Sequence, residues 1–119
     1  MNVESPSGGV QSRTVASGWE APEGQMGLFL VERRLPGITE GGLAMLQGVL
    51  MAASRRFADQ GKPVVYLRST FAPRQARLFS LFAGASLELV RAANEAALAP
   101  FISIEPAFEL PDPRESTAE

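Results

Sequence analysis

Cysteine and histidine are both absent from this chain of 119 residues. Without cysteine, the chain can form neither a disulfide nor a thiolate ligand to a metal. Without histidine, it lacks the side chain that most often binds metals and serves as a general base near neutral pH. Any metal would have to be held by carboxylates, carbonyl groups or water, which favours hard cations over nickel, copper or zinc. We therefore expect no cofactor, and we assign no metal-ligating or catalytic residue.

Concentrated positive charge is also missing, since 11 basic residues are scattered among 13 acidic ones for a net charge of −2. Generic attraction to nucleic acid is therefore not expected. The aromatic stretch Arg77–Phe82 bears comparison with the third strand of an RNA-recognition domain, but the glycines that such a strand requires are absent. We assign its aromatic residues to the core.

Long apolar runs are the third absence. No window approaches the roughly 18–20 apolar residues that a transmembrane helix needs. The N-terminal residues do not show a charged region followed by an apolar one, so they do not resemble a signal peptide. We expect a cytoplasmic protein with no membrane partner.

The chain does contain enough apolar sequence for one packed domain, because 45% of its residues are hydrophobic. Residues 1–25 are rich in serine, glycine and proline, which predicts a flexible N-terminal arm. Residues 111–119 have the composition of a flexible C-terminal tail, so the domain is expected at residues 26–110. Trp19 is an exception within the arm, and whether it anchors the arm on the domain is left open.

The first half of the domain is expected to be a strand followed by a helix. Met26–Leu35 has apolar residues at both parities and is closed by Pro36 and Gly37, which is typical of a central strand covered on both faces. Thr39 is a plausible N-cap, and Gly61 ends the helix. The apolar stripe between them consists of Leu43, Leu46, Leu50, Ala53 and Phe57.

The second half is expected to be a hairpin, a helix and a last strand. Residues 64–71 and 76–83 predict two strands joined by a turn at residues 72–75. Ser86 predicts the N-cap of a helix that runs through Ala97 and ends at Pro100. Residues 101–105 predict the last strand, and Pro106 marks it as an edge.

The order β-α-β-β-α-β predicts an α+β protein with a ferredoxin-like sandwich. Right-handed crossovers would place the first and third strands in the middle of a four-stranded antiparallel sheet. Both helices would then cover one face of that sheet.

Two groups of residues resemble a family of small ferredoxin-like domains of unknown function that includes a nickel-binding protein. The first is Leu30–Arg33 with Leu35–Gly37 and Tyr66–Phe71, and the second is Leu81–Ser86 with Leu89–Asn94. The resemblance covers about residues 27–108 and implies the fold and a dimer of the α+β-barrel type. Members often carry a cysteine and a glutamate where this chain has Ser80 and Ala83. Since histidine is also absent, we transfer no nickel ligand.

Five polar residues are candidates for a ligand-binding pocket. Glu32 lies near the end of the central strand, where it could orient a ligand or act as a base; the alternative is a salt bridge to Arg68 or Arg33. Tyr66 and Arg68 share a parity with Thr70 on the second strand, and Ser80 shares one with Leu78 and Phe82 on the third. Asn94 lies on the apolar stripe of the second helix, four residues after Val90. Each of these side chains could instead be satisfied structurally, by the backbone or at the surface.

Two functions remain open. The first is a non-catalytic protein that binds a small ligand or a metal ion, with nickel disfavoured. The second is a cofactor-free enzyme of the oxygenase or isomerase type found among dimeric α+β barrels, which the absence of histidine disfavours. The expected partners are a second copy of the chain, bound through the sheet face, and a small-molecule ligand.

Overall fold

The computed structural model describes residues 25–116. Apart from Gln25, the expected N-terminal arm, including Trp19, lies outside the described residues. The elements are β1 (Gly27–Arg34), α1 (Glu40–Asp59), β2 (Val64–Ala72), β3 (Arg77–Gly84), α2 (Leu87–Ala96), β4 (Ser103–Ala107) and α3 (Pro113–Ser116).

The predicted ferredoxin-like fold is confirmed. The four strands form one antiparallel sheet in the order β2-β3-β1-β4, so that β1 and β3 are central. The helices α1 and α2 pack on one face of this sheet. The short helix α3 lies where the sequence predicts the beginning of a flexible tail.

Both ends of α1 follow from local chemistry. Thr39 is its N-cap, and the threonine hydroxyl accepts a hydrogen bond of 3.0 Å from the Gly42 amide. At the other end, Gly61 adopts a φ of +77°, and the amide of the next residue, Lys62, donates to the Phe57 carbonyl. A residue in the left-handed region is the usual way to end a helix, and glycine adopts it without strain.

The second helix, α2, is fixed to the sheet at its beginning. Ser86 is its N-cap and accepts from the Leu89 amide at 3.2 Å. A side chain at Gly84 would bring its Cβ within 2.7 Å of Val90, so that only glycine allows the helix to approach the end of β3 this closely. The helix ends one residue earlier than expected because Leu98 adopts a φ of +55° before Pro100 is reached.

Two other boundaries differ from the predicted ones. The hairpin turn comprises residues 73–76, because the Ala76 amide donates to the Pro73 carbonyl at 3.2 Å. The last strand begins at Ser103 rather than at residue 101, since Phe101 packs against the core outside the ladder. Pro106 lies within β4 and is tolerated there because, among the described strands, β4 is at the edge of the sheet and pairs with β1 alone.

Alternation along the strands separates the two faces of the sheet. Phe29 and Val31 of β1 point toward the helices and are buried. Leu30, one position away in the chain, points to the open face and is half-buried, as is its register partner Leu81. The core on the helix side consists of Phe29, Val31, Leu50, Val64, Phe82, Val90, Ala93 and Ala99.

Candidate ligand-binding cleft

The five residues proposed for one pocket lie on opposite faces of the sheet. Tyr66, Ser80 and Asn94 lie on the helix side, whereas Glu32 and Arg68 lie on the open face. Glu32 faces the open side by the regular alternation of β1. Tyr66 and Arg68 are separated by a β-bulge, where the register passes from Tyr66↔Phe82 directly to Arg68↔Leu81. One extra residue in β2 inverts the alternation, so that the parity predicted for Tyr66 and Arg68 is wrong.

On the open face, Glu32 and Arg68 make separate salt bridges. Glu32 pairs with Arg77 at 3.0 Å, rather than with Arg68 or Arg33 as expected. Arg77 is the diagonal neighbour of Glu32 on the adjacent strand, because the register pairs Glu32 with Phe79 and Arg34 with Arg77, a relationship that chain position alone does not show. Arg68 contacts Glu109, beyond the end of β4. All four side chains are partly exposed, so these pairs add little stability.

On the helix side, the predicted residues surround Arg33, whose side chain is only 1% exposed. Arg33 continues the buried alternation of Phe29 and Val31 and therefore points into the protein. Its Nη1 donates to Ser80 Oγ at 3.4 Å, and its Nη2 donates to Asn94 Oδ1. Both acceptors are neutral and fully buried. The guanidinium is thus held by an alcohol and an amide.

Within the described part of the chain, no negative charge balances this guanidinium. Among residues 25–116, no carboxylate lies within salt-bridge distance of Arg33, and its Nε has no hydrogen-bond partner. Burial lowers the pKa of Arg33 to about 10, while the nearby Tyr66 acts in the opposite direction. Arg33 therefore remains a cation at neutral pH, in a place where cations are costly.

A chain of hydroxyl groups leads from Arg33 toward the surface. Ser80 Oγ lies 2.7 Å from Ser69 Oγ, which lies 2.6 Å from the Tyr66 hydroxyl. Gln47 Nε2 of α1 then donates to the Tyr66 hydroxyl at 2.9 Å. The sequence Arg33, Ser80, Ser69, Tyr66 and Gln47 is called the hydroxyl relay below. It begins in the core and ends at exposed Gln47.

The relay reaches a cleft between α1 and the β2–β3 hairpin. The cleft has a volume of about 310 Å³, at the lower end of the range for small-molecule sites. Its polar lining residues are Glu40, Gln47 and Ser69, and its apolar ones are Leu43, Ala44, Leu50, Phe71 and Leu78. Two members of the relay, Gln47 and Ser69, therefore face the space where a ligand would bind.

Sequence reasoning missed Arg33, Ser69 and Gln47 as parts of this site. One signal was available for Arg33, since it stands at the same parity as Phe29 and Val31 in the central strand. No comparable signal marks Ser69, which faces the helices only because of the bulge in β2. Gln47 lies on α1, where its contact with Tyr66 depends on helix packing.

Metal-binding and membrane-spanning features are not found in the part of the chain that the structure describes. Within residues 25–116, no three histidine, cysteine, aspartate or glutamate side chains come together as a group that could hold a metal ion. No helix in that range is both long and apolar enough to cross a membrane.

No protein-family model matches this chain, and no curated protein matches it. Among solved structures, the crystal structure of SCO4226 from Streptomyces coelicolor A3(2) is similar to it. The TM-score is 0.58 and the sequence identity is 21%, over 67% of this chain and 94% of that chain. A similarity at this level of identity shows a shared fold alone.

Proposed function

We propose that this protein binds a small organic molecule, without catalysis, in the cleft between α1 and the β2–β3 hairpin. The observation that carries the proposal is the hydroxyl relay, which joins a buried cation to the cleft wall. A polar network of this kind is costly in a core unless it is fully satisfied. The apolar lining supplies contact area, and the relay supplies the few directed hydrogen bonds that small-molecule sites use for specificity.

The proposal predicts that filling the cleft abolishes binding. Native mass spectrometry of the purified protein would identify any retained molecule, and an NMR-detected library screen would supply further ligands. Ala44→Trp places an indole in the cleft from one of its lining residues. Met45→Trp is the matched control, because Met45 is 72% exposed on the same helix. Binding that survives Ala44→Trp, or a library without any ligand at the cleft, would contradict the proposal.

Self-association through the open face of the sheet is the second part of the proposal. Leu28, Leu30, Phe79 and Leu81 lie on this face, and Val65 beside them is 44% exposed. Apolar patches of this kind on soluble proteins usually mark interaction sites. Packing two sheets face to face would cover these side chains in a homodimer and would leave the cleft, on the helix side, open to its ligand.

A further inference from the structure

The guanidinium of Arg33 has more donors than acceptors around it. An arginine carries five N–H groups, and among residues 25–116 only Nη1 and Nη2 of Arg33 find acceptors. A buried charge is normally paired with an opposite charge, because neutral dipoles replace lost hydration only in part. Arg33 is therefore a positive charge for which the described residues offer no counter-ion.

Only one of the two contacts of Arg33 leads toward a place that a ligand can reach. On one side, Asn94 is fully buried, and its Nδ2 donates to the Val90 carbonyl of its own helix at 2.8 Å. This path is closed. On the other side, Ser80 leads through Ser69 to the cleft.

The relay also has a direction, because Arg33 can only donate. Ser80 Oγ accepts a hydrogen bond from Arg33 and is fully buried. Its own hydroxyl therefore donates to the neighbouring Ser69 Oγ. Ser69 then donates to the Tyr66 hydroxyl, which also accepts from Gln47. The hydroxyl protons of Ser80 and Ser69 are used in the two contacts between hydroxyl groups. The hydroxyl proton of half-buried Tyr66 is not used in either contact and remains available to a ligand. The outer end of the relay therefore presents hydrogen-bond donors, as a ligand with acceptor atoms requires.

Glu40 is the group in the cleft that opposes a negatively charged ligand. It is exposed at the beginning of α1, where water and salt screen its charge and the positive end of the helix dipole offsets it. Arg33 acts through the protein interior, where screening is much weaker. The buried cation thus dominates at the inner wall formed by Ser69, and Glu40 has its effect at the rim.

We propose that the ligand of this cleft is a small organic anion, such as an aromatic carboxylate. Its carboxylate accepts hydrogen bonds at the outer end of the relay, from the Gln47 side-chain amide that lines the cleft and from the Tyr66 hydroxyl beside it. Its apolar body lies against Leu43 and Leu78. Arg33 is a positioning residue that supplies the countercharge through Ser80 and does not itself line the cleft. This inference rests on the proposed function, to which it adds the chemical class of the ligand.

Three probes of one size separate charge from shape: benzoate, benzamide and benzylammonium. Each is titrated into the full-length protein and followed by ¹H–¹⁵N NMR, which reports both affinity and the residues contacted. We expect benzoate to perturb the cleft residues and to bind about tenfold more tightly than benzamide, because charge-assisted hydrogen bonds are about twice as strong as neutral ones. Benzylammonium should bind most weakly.

Variants of the relay test the role of Arg33. Arg33→Met should bring the benzoate-to-benzamide affinity ratio close to one, while benzamide binding itself persists. Ser69→Ala, at a half-buried position, should lower the ratio as well, and it keeps the test informative if Arg33→Met does not fold. Ser54→Ala is the matched control, because Ser54 is a buried serine of α1 whose hydroxyl has no hydrogen-bond partner. It should leave the ratio unchanged.

The outcomes distinguish this inference from the function on which it rests. If benzamide or benzylammonium binds in the cleft as tightly as benzoate, the anionic ligand is refuted, but a ligand-binding cleft stands. A preference for benzoate that survives both Arg33→Met and Ser69→Ala refutes the role of the relay. If none of the probes perturbs the cleft, or if benzoate binds only elsewhere, both the inference and its basis are contradicted.

Discussion

Arg33 of the central strand β1 donates through Nη2 to Oδ1 of Asn94 on α2, in the interior of the protein. The two residues are 61 positions apart in the chain. This contact links the sheet to a helix through a cation and a neutral amide. The partnership explains why an asparagine occupies the apolar stripe of α2, and it leads to three predictions about stability.

The first prediction is that Arg33→Met stabilises the fold. Burial lowers the pKa of Arg33 to about 10, well below its ordinary value, which corresponds to a penalty of roughly 3 kcal/mol for the folded cation. Methionine removes this penalty, although Ser80 Oγ and Asn94 Oδ1 each lose the hydrogen bond that Arg33 donates to them. We expect the free energy of unfolding in urea to rise by about 1–2 kcal/mol. Arg34→Met is the control at an exposed neighbour and should change little; a loss of stability specific to Arg33→Met would contradict the argument.

The second prediction concerns coupling between the same two residues. Asn94→Leu removes the acceptor of Nη2 and leaves a buried cation with one contact, so it should cost about 2–3 kcal/mol. In the Arg33→Met background there is no buried cation that could lose its acceptor, so the same substitution should cost much less. Urea denaturation of the four proteins gives the coupling energy directly. Additive effects would show that Asn94 is retained for packing alone.

The third prediction is a dependence of stability on pH. Because the pKa of Arg33 is lowered in the folded state, the folded and unfolded chains are both protonated below about pH 10, and the penalty is constant there. Above that value the folded chain loses the proton first. The free energy of unfolding of the wild type should therefore rise, relative to Arg33→Met, by roughly 1 kcal/mol per pH unit up to the unfolded pKa. Denaturation curves at pH 8 to 11 test this, and a constant difference between the two proteins would refute it.

Much of the fold could be predicted because its signals are local. The helix caps Thr39 and Ser86 act within three residues of their own positions. Of the apolar stripe predicted for α1, Leu46, Leu50 and Phe57 pack in or against the core. The residues that form a cap, or an apolar stripe, are close together in the chain and recur at helical spacing, so that the sequence alone reveals them.

The candidate site could be predicted only in part, because it depends on contacts between distant segments. Ser80 was identified as a candidate by its shared parity with Leu78 and Phe82, and Asn94 by its position on the apolar stripe of α2. Arg33 was not predicted as a buried member of the site, because the acceptors that its guanidinium contacts lie 47 and 61 positions away in the chain. Ser69 faces the helices in place of Arg68 because β2 contains one extra residue at a bulge. No feature of the sequence indicates that bulge.

The last prediction separates the two faces of the sheet by substituting neighbouring residues of β1. Val31 is fully buried under the helices, so that Val31→Glu would place an unpaired charge in the core and should unfold the domain. Leu30 lies on the open face opposite Leu81, so that Leu30→Glu should leave the domain folded and abolish the proposed homodimer. Circular dichroism checks folding, and analytical ultracentrifugation measures mass. A wild type that is monomeric at ~50 µM, well above typical dimer dissociation constants, would rule out dimerisation through this face. A dimeric Leu30→Glu protein would place the interface elsewhere.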